Sequence, residues 1–188
     1  VSKGLDFDHV GLVGVLQADD MLYYPDFRAH ERCFQLLTQV SGRSGRKNDR
    51  GKVILQSFDH YHWVLQKVME YDFKSLYDQE LADRKHFKYP PFYRMIRMTL
   101  LHKKSENLFT GSNLLARDLK QHLGDRVLGP EFTIIPRIKN NYQQQIILKI
   151  EKELSLSKVK THIRSILDNW SLNKQSKSIR VKIDVDPM

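Results

Sequence analysis

The hydrophobic positions of this chain follow two rhythms, and the change between them falls at Tyr89-Pro90-Pro91. Upstream, residues 11–16 (GLVGVL) form a short unbroken apolar run, which predicts a strand buried in a parallel sheet. Residues 28–40 then place Ala29, Cys33, Leu36, Leu37 and Val40 on one helical face, and Gly42 stops that helix. Residues 52–57 (KVILQS) predict the next buried strand, so that strand, helix and strand make an α/β unit. Residues 61–88 predict helix, first with Val64, Leu65, Val68 and Met69 as the apolar face, then over 73–87 with Leu76, Tyr77 and Leu81. The two prolines end it, because proline disfavours helix for itself and for its predecessor. A domain boundary is expected there.

Downstream the rhythm alternates. Residues 94–102 set Ile96, Met98 and Leu100 on one face of a strand. Ser105 is expected to cap a helix whose stripe is Leu108, Leu115, Leu119 and Leu123, stopped by Gly124. A short strand at Val127-Leu128 precedes Gly129-Pro130, and residues 144–150 alternate with Ile146, Leu148 and Ile150 inward. A helix over 157–170 shows Val159, Ile163, Ile166, Leu167 and Trp170. A last strand over 179–185 points Ile179, Val181, Ile183 and Val185 inward. The order β-α-β-β-α-β is the split βαβ, or ferredoxin-like, pattern. The expected organisation is therefore an α/β piece over residues 1–60, a helical connector over 61–90 and an α+β ferredoxin-like domain over 91–188.

Composition narrows the classes. The chain has 188 residues, 40% hydrophobic and 28% charged, as in an ordinary soluble protein. No apolar run approaches the roughly 20 residues of a membrane helix, and no signal-peptide pattern opens the chain. A start at Val1 leads us to expect a fragment of a longer protein. The single cysteine, Cys33, excludes an internal disulfide framework and a multi-cysteine zinc site within this chain, and fits a reducing, cytoplasmic setting. The formal net charge of +9 favours a polyanionic partner, most often nucleic acid, although charge alone serves a merely soluble surface as well.

The motif richest in chemistry is QVSGRSGR, residues 39–46, which reads Gln39-x-x-Gly42-Arg43-x-Gly45-Arg46. Arginine presents a planar fork of donors suited to phosphate oxygens, and glycine lets the backbone turn close to them. In nucleotide hydrolysis an arginine from a second lobe stabilises charge developing on the γ-phosphate. A lone G-R-x-G-R is more often a basic loop behind a glycine cap. The preceding glutamine and the α/β context raise the functional reading above that one.

Its company raises it further. Q-x-x-G-R-x-G-R resembles the last motif of superfamily 2 helicases, and Val1-Ser2-Lys3-Gly4-Leu5-Asp6-Phe7 resembles the tail of the motif before it. Asp26-Phe27-Arg28-x-x-Glu31-Arg32, Tyr89-Pro90-Pro91-Phe92 and the closing Asp184-Val185-Asp186-Pro187 resemble the primosomal protein N-prime (PriA) family over nearly the whole chain. The resemblance implies that residues 1–60 are the end of a RecA-like second lobe in an ATP-dependent 3′-to-5′ DNA helicase that recognises stalled replication forks and restarts replication by primosome assembly. It implies that Gln39, Arg43 and Arg46 belong to the catalytic motif, with Arg43 or Arg46 as arginine finger, and that Lys3, Gly4 and Asp6 couple nucleotide to DNA. It implies ATP and Mg2+ as cofactors of the full-length protein, and zinc bound upstream of this chain. Its partners would be forked and single-stranded DNA, the acidic tail of single-strand-binding protein, and other primosome and helicase-loading proteins. Asp8-His9 departs from the proline common in the family after the phenylalanine, which puts that loop's shape in doubt.

No G-x-x-x-x-G-K-S/T phosphate-binding loop and no D-E-x-H motif occur in the chain. The chain alone is therefore expected to hydrolyse no ATP. A second candidate surface consists of Arg137, Lys139, Tyr142, Lys158, Lys160 and Arg164, which mix cations with an aromatic. It suits phosphates and a stacked base, or an acidic peptide tail, and the alternative to both is a solvated basic face. His60-x-His62 lacks a third metal ligand, Trp63 and Trp170 read as core, and Asp184 with Asp186 reads as a solvent-facing pair before Pro187. Two other classes remain: a non-enzymatic nucleic-acid-binding module, since the second half resembles a small-ribosomal-subunit protein, and a scaffold for acidic partner tails.

Overall fold

The computed structural model describes residues 10–42 and 51–187. The chain divides into two compact units, Val1–Asp83 and Arg84–Met188. Both mix helices with a sheet.

In the first unit, β1 (Leu12–Val15) and β2 (Lys52–Leu55) pair in parallel, with Val13 opposite Val53 and Val15 opposite Leu55. The helices α1 (Asp19–Leu22), α2 (Ala29–Ser41) and α3 (Trp63–Met69) follow the strand ends, and α4 (Phe73–His86) crosses the unit boundary after Asp83. Ala18, Leu22, Cys33, Phe34, Leu37, Val64, Leu65, Val68 and Leu76 pack as one apolar cluster, with Trp63 against it. The strands depart from the expected burial: they alternate between half-buried and exposed positions, and Leu12 and Ile54 are each 58% exposed. A continuous apolar run suits a sheet covered on both faces, and among the described residues only the Val13, Val15, Val53 and Leu55 face is half-buried.

The helical stretch expected over 61–88 is broken at 70–72, where Tyr71 takes a left-handed φ of 53°. Asp72 makes the new start. Its carboxylate accepts from Ser75 N–H (3.0 Å) and from Lys67 Nζ (3.0 Å), and Lys67 also reaches Glu70. The hydroxyl and N–H of Ser75, with the Lys67 ammonium, hold the Asp72 carboxyl down from 3.8 to about 2. His62, half of the His60-x-His62 pair, caps α3 by accepting from Val64 N–H at 3.3 Å.

The second unit is a four-stranded sheet with α5 (Ser105–Leu123) and α6 (Leu156–Ser171) contributing to its core. Its strands are β3 (Tyr93–His102), β4 (Val127–Ile138), β5 (Asn141–Glu151) and β6 (Arg180–Val185), ordered β4-β5-β3-β6 with every neighbouring pair antiparallel. The β3–β5 register sets Ile96 opposite Leu148 and Met98 opposite Ile146. These four, with Leu100 and Ile150, pack with Leu108, Leu115 and Leu119 of α5 and with Val159, Ile163, Ile166 and Trp170 of α6. Two polar groups are satisfied inside: the Ser112 hydroxyl donates to Gln144 Oε1, and Trp170 Nε1–H donates to Gly111 O at 2.9 Å. Buried polar groups are tolerated when paired in this way.

Three expectations need correction here. Lys104, not Ser105, precedes the first turn of α5, and no side chain caps it. The short strand at Val127-Leu128 continues to Ile138, because two register irregularities carry β4 past Gly129-Pro130 and beyond Phe132. Ile183 and Val185 are 51% and 42% exposed rather than buried, since neither belongs to the core cluster with α6.

Gly129 permits the first irregularity. Its φ is 94°, and a Cβ there would lie 2.7 Å from Gln145 O of the adjacent strand. Gly129→Ala is therefore expected to destabilise the second unit by about 1–3 kcal/mol, read as a lower urea midpoint; an unchanged midpoint would show that the bulge relaxes freely. The second expectation concerns pH. A carboxyl depressed in the folded state stabilises the fold above its ordinary value and loses that contribution as pH falls through the folded value. The thermal-midpoint gap between the native chain and Asp72→Asn should be full at about pH 5, shrink below about 4 and close near 2. A gap independent of pH would contradict the Asp72 assignment.

Candidate nucleic-acid interface

The residues singled out in the sequence fall in three places. Gln39 lies exposed in the last turn of α2. Arg43, Arg46, Lys3, Gly4 and Asp6 lie outside the described residues. The neutral amide of Gln39 is by itself no cradle for a triphosphate, which calls for cations and converging N–H groups. Cys33 is buried, and burial pushes its thiol up to about 11, so it is unsuited to a metal. Among the described residues no three His, Cys, Asp or Glu side chains cluster as metal ligands, and no helix is long and apolar enough to cross a membrane.

The segment 26–32 organises the start of α2. Asp26 accepts from Arg28 N–H at 2.9 Å and from Arg32 Nη1 at 3.1 Å, and Arg28 lies 4.7 Å from the Phe27 ring centre. His30 Nδ1 meets Glu80 Oε1 at 3.0 Å, joining α2 to α4. Each of these contacts is structural. In the second unit Tyr89 takes a similar part: Lys149 Nζ sits 3.6 Å from its ring centre and donates to Phe87 O at 2.7 Å. Burial, with Lys88 nearby, lowers the Lys149 ammonium from its ordinary value. Asp184 and Asp186 are both exposed, as expected of a solvent-facing pair before Pro187, and Asp186 also ties the strand end to β3: its carboxylate accepts from Met95 N–H at 3.1 Å, and its own N–H donates to Met95 O at 2.7 Å.

The six residues of the second candidate surface separate into two sites, because β4 and β6 are opposite edges of the sheet. Arg137, Lys139 and Tyr142 gather at the β4–β5 turn. Lys139 and Asn140 have φ of 45° and 61°, the left-handed pair that a tight hairpin turn requires. The Arg137 guanidinium lies 5.1 Å from the Tyr142 ring centre and donates to Asn140 Oδ1 at 3.2 Å. It is thereby held in place with donors to spare. Lys139 is exposed.

Lys160 and Arg164 lie one helical turn apart on α6. With Leu167, Ile183 and Val185 they line an open groove of about 800 Å³ between α6 and β6. Lys158 is exposed on α6 and does not line it. The exposed Ile183 and Val185 thus form an apolar wall under two cations, a feature that alternation alone did not reveal. The residues missed entirely are Phe132, Ile134, Ile135 and Ile138, each between 44% and 62% exposed along the β4 edge. Their run reads as core in the sequence, and only the adjoining Asn140-Asn141 turn hints at an edge.

Residues 85–188 match the protein family described as "Primosomal protein N C-terminal domain". Over its full length the chain is 38% identical across 189 residues to the Replication restart protein PriA of Bacillus subtilis, covering 23% of that protein. It is 35% identical across 192 residues to the protein of the same name from Treponema pallidum, covering 28%, and 34% identical across 192 residues to that of Chlamydia pneumoniae, covering 25%. The chain spans about a quarter of the length of these curated relatives.

Proposed function

The chain belongs to the family of the primosomal protein N C-terminal domain, and from that premise we propose that it is the C-terminal part of an ATP-dependent 3′-to-5′ DNA helicase. The whole protein would recognise stalled forks and restart replication by primosome assembly in the cytoplasm. One observation carries this reading: the similarity to proteins named for replication restart spans all of this chain, including the QVSGRSGR segment that lies outside the family match. In this reading residues 1–60 complete a RecA-like second lobe, residues 61–90 connect, and residues 91–188 are ferredoxin-like. The strand order β4-β5-β3-β6 with α5 and α6 as crossovers supports the last assignment. Arg43 or Arg46 would stabilise the transferring phosphate, with Gln39 in the same catalytic motif, and Lys3, Gly4 and Asp6 would couple nucleotide to DNA. ATP and Mg2+, when bound, supply the phosphoryl-transfer chemistry. The loop that cradles them, and the zinc of the full-length protein, would lie in segments this sequence does not contain.

The second unit would bring two partners to two edges. Arg137 and Lys139 suit DNA phosphates, with Tyr142 stacked behind them. The groove of Lys160, Arg164, Ile183 and Val185 suits a peptide that is acidic and apolar at once, as a tail of single-strand-binding protein would be. Other primosome and helicase-loading proteins would meet the full-length protein.

Three outcomes are expected. The purified chain should release no phosphate from ATP above background, with or without DNA; DNA-stimulated turnover would contradict the division of the active site. Fork binding measured over a salt series should lose roughly 2 from its slope of log K against log salt when Arg137 and Lys139 become alanine. The Lys160→Glu, Arg164→Glu variant should keep that slope and bind an acidic tail peptide about ten-fold more weakly. An unchanged slope in the first variant removes DNA from the β4 edge, and unchanged peptide affinity in the second removes the peptide from the groove.

A further inference from the structure

At the β4 edge the sheet does something that phosphate contacts do not require. Phe132 pairs with Gln144 and Arg137 pairs with Tyr142, so residues 133–136 (TIIP) on β4 stand against Gln143 alone on β5. The surplus chain must leave the ladder, because one residue of β5 cannot satisfy four. It is held in shape by the Thr133 hydroxyl, which donates to Ile135 O at 2.8 Å. The excursion carries Ile134 at 62% exposure and Ile135 at 59%, followed by Pro136, which is also exposed. An edge strand of this kind is ordinarily blunted by charge or shortened. Here it is apolar and exposed.

Its surroundings suggest the occupant. Between the flanking Glu131 and Glu151 the sequence holds no carboxylate; its cations are Arg137 and Lys139 beside the excursion, and Lys149, which is engaged with Tyr89 and Phe87 O. The neighbouring polar residues are Asn140, Asn141 and Gln143, whose amides suit base edges as well as phosphates, while Gln145 Nε2 donates to Glu131 Oε1 at 2.9 Å. An apolar projection beside fixed cations is how architectural DNA-binding proteins part a base step. They insert isoleucine, leucine or proline between stacked bases, while cations hold the backbone on either side.

We propose that residues 133–136 are a wedge that enters the DNA at the fork, with Ile134, Ile135 and Pro136 parting the base pair next to the junction while Arg137 and Lys139 grip the adjoining phosphates. A junction is the favoured point of entry because its terminal pair is stacked on one side only, so unstacking there costs less than within a duplex. The proposal rests on the reading of the β4 edge as a DNA site. It adds that the edge distinguishes a junction from plain duplex by deforming it.

The test uses the 188-residue chain with a fork carrying 2-aminopurine at the junction pair and, separately, deep in the duplex arm. Native protein should raise the junction signal roughly two-fold or more and leave the arm signal unchanged. The Ile134→Ser, Ile135→Ser variant should lose the rise while binding no more than about ten-fold more weakly, since its phosphate contacts remain. Ile135→Phe, which keeps an apolar and stackable side chain, should retain the rise. Arg137→Glu with Lys139→Glu should lose binding altogether. Both isoleucines are exposed, so all variants should share the native melting midpoint. If the serine variant unstacks the junction as the native chain does, or if the native chain binds without unstacking, the wedge is overturned and the DNA reading stands; the isoleucines then serve a protein partner. If the glutamate variant binds the fork like the native chain, the DNA reading of this edge falls and the wedge falls with it.

Discussion

The second unit depends on the pairing of β3 with β5. Ten consecutive residues of β3 are matched to β5, from Tyr93 opposite Glu151 to His102 opposite Tyr142. Because side chains alternate, this register puts Ile96, Met98, Leu100, Ile146, Leu148 and Ile150 on one face, and a slip of one residue by either strand would turn its three away from the helices. Each of the six is no more than 2% exposed. Truncating a leucine in such a place costs about 2–5 kcal/mol, a large part of a domain's whole stability. With the central pair fixed, β4 and β6 are left as edges, and both proposed binding surfaces lie there.

The two edges differ because their coverage differs. On the β6 side the last two apolar residues of the strand, Ile183 and Val185, are not packed into the core with α6, and the gap is the groove. On the β4 side Gly129 and the four-residue excursion interrupt the ladder, so the strand carries isoleucines outward instead of into the core. Each departure from regular packing leaves apolar surface beside cations. That combination is costly for a free surface and is retained where something covers it.

How much of this was legible follows from what a hydrophobic period reports. Strict alternation over β3 and β5 and the stripes of α5 and α6 located those elements and their inner faces, because each is covered along its full length. Alternation over β6 was read correctly as a strand, but a period tells which face a residue occupies and not whether a helix lies over it. Hence Ile183 and Val185 were expected inside. β4 was cut short because bulges break the period of two. In the first unit Phe34 was missed, since it widens the α2 face beyond the stripe of Ala29, Cys33 and Leu37. Of the candidate site, the family motifs were legible as motifs, and most of the helicase residues lie outside the described residues. The grouping of Arg137 through Arg164 as one surface failed for a topological reason: spacing in sequence does not reveal that β4 and β6 end up at opposite edges.

The central claim is that DNA is held at the β4 edge and not in the α6–β6 groove. The most direct measurement is photo-cross-linking of a fork with bromodeoxyuridine at the junction, followed by mass-spectrometric mapping of the modified peptides. The account predicts adducts within residues 132–142, Tyr142 foremost. Adducts confined to residues 156–168 and 183–185, with none at the β4 edge, would contradict it.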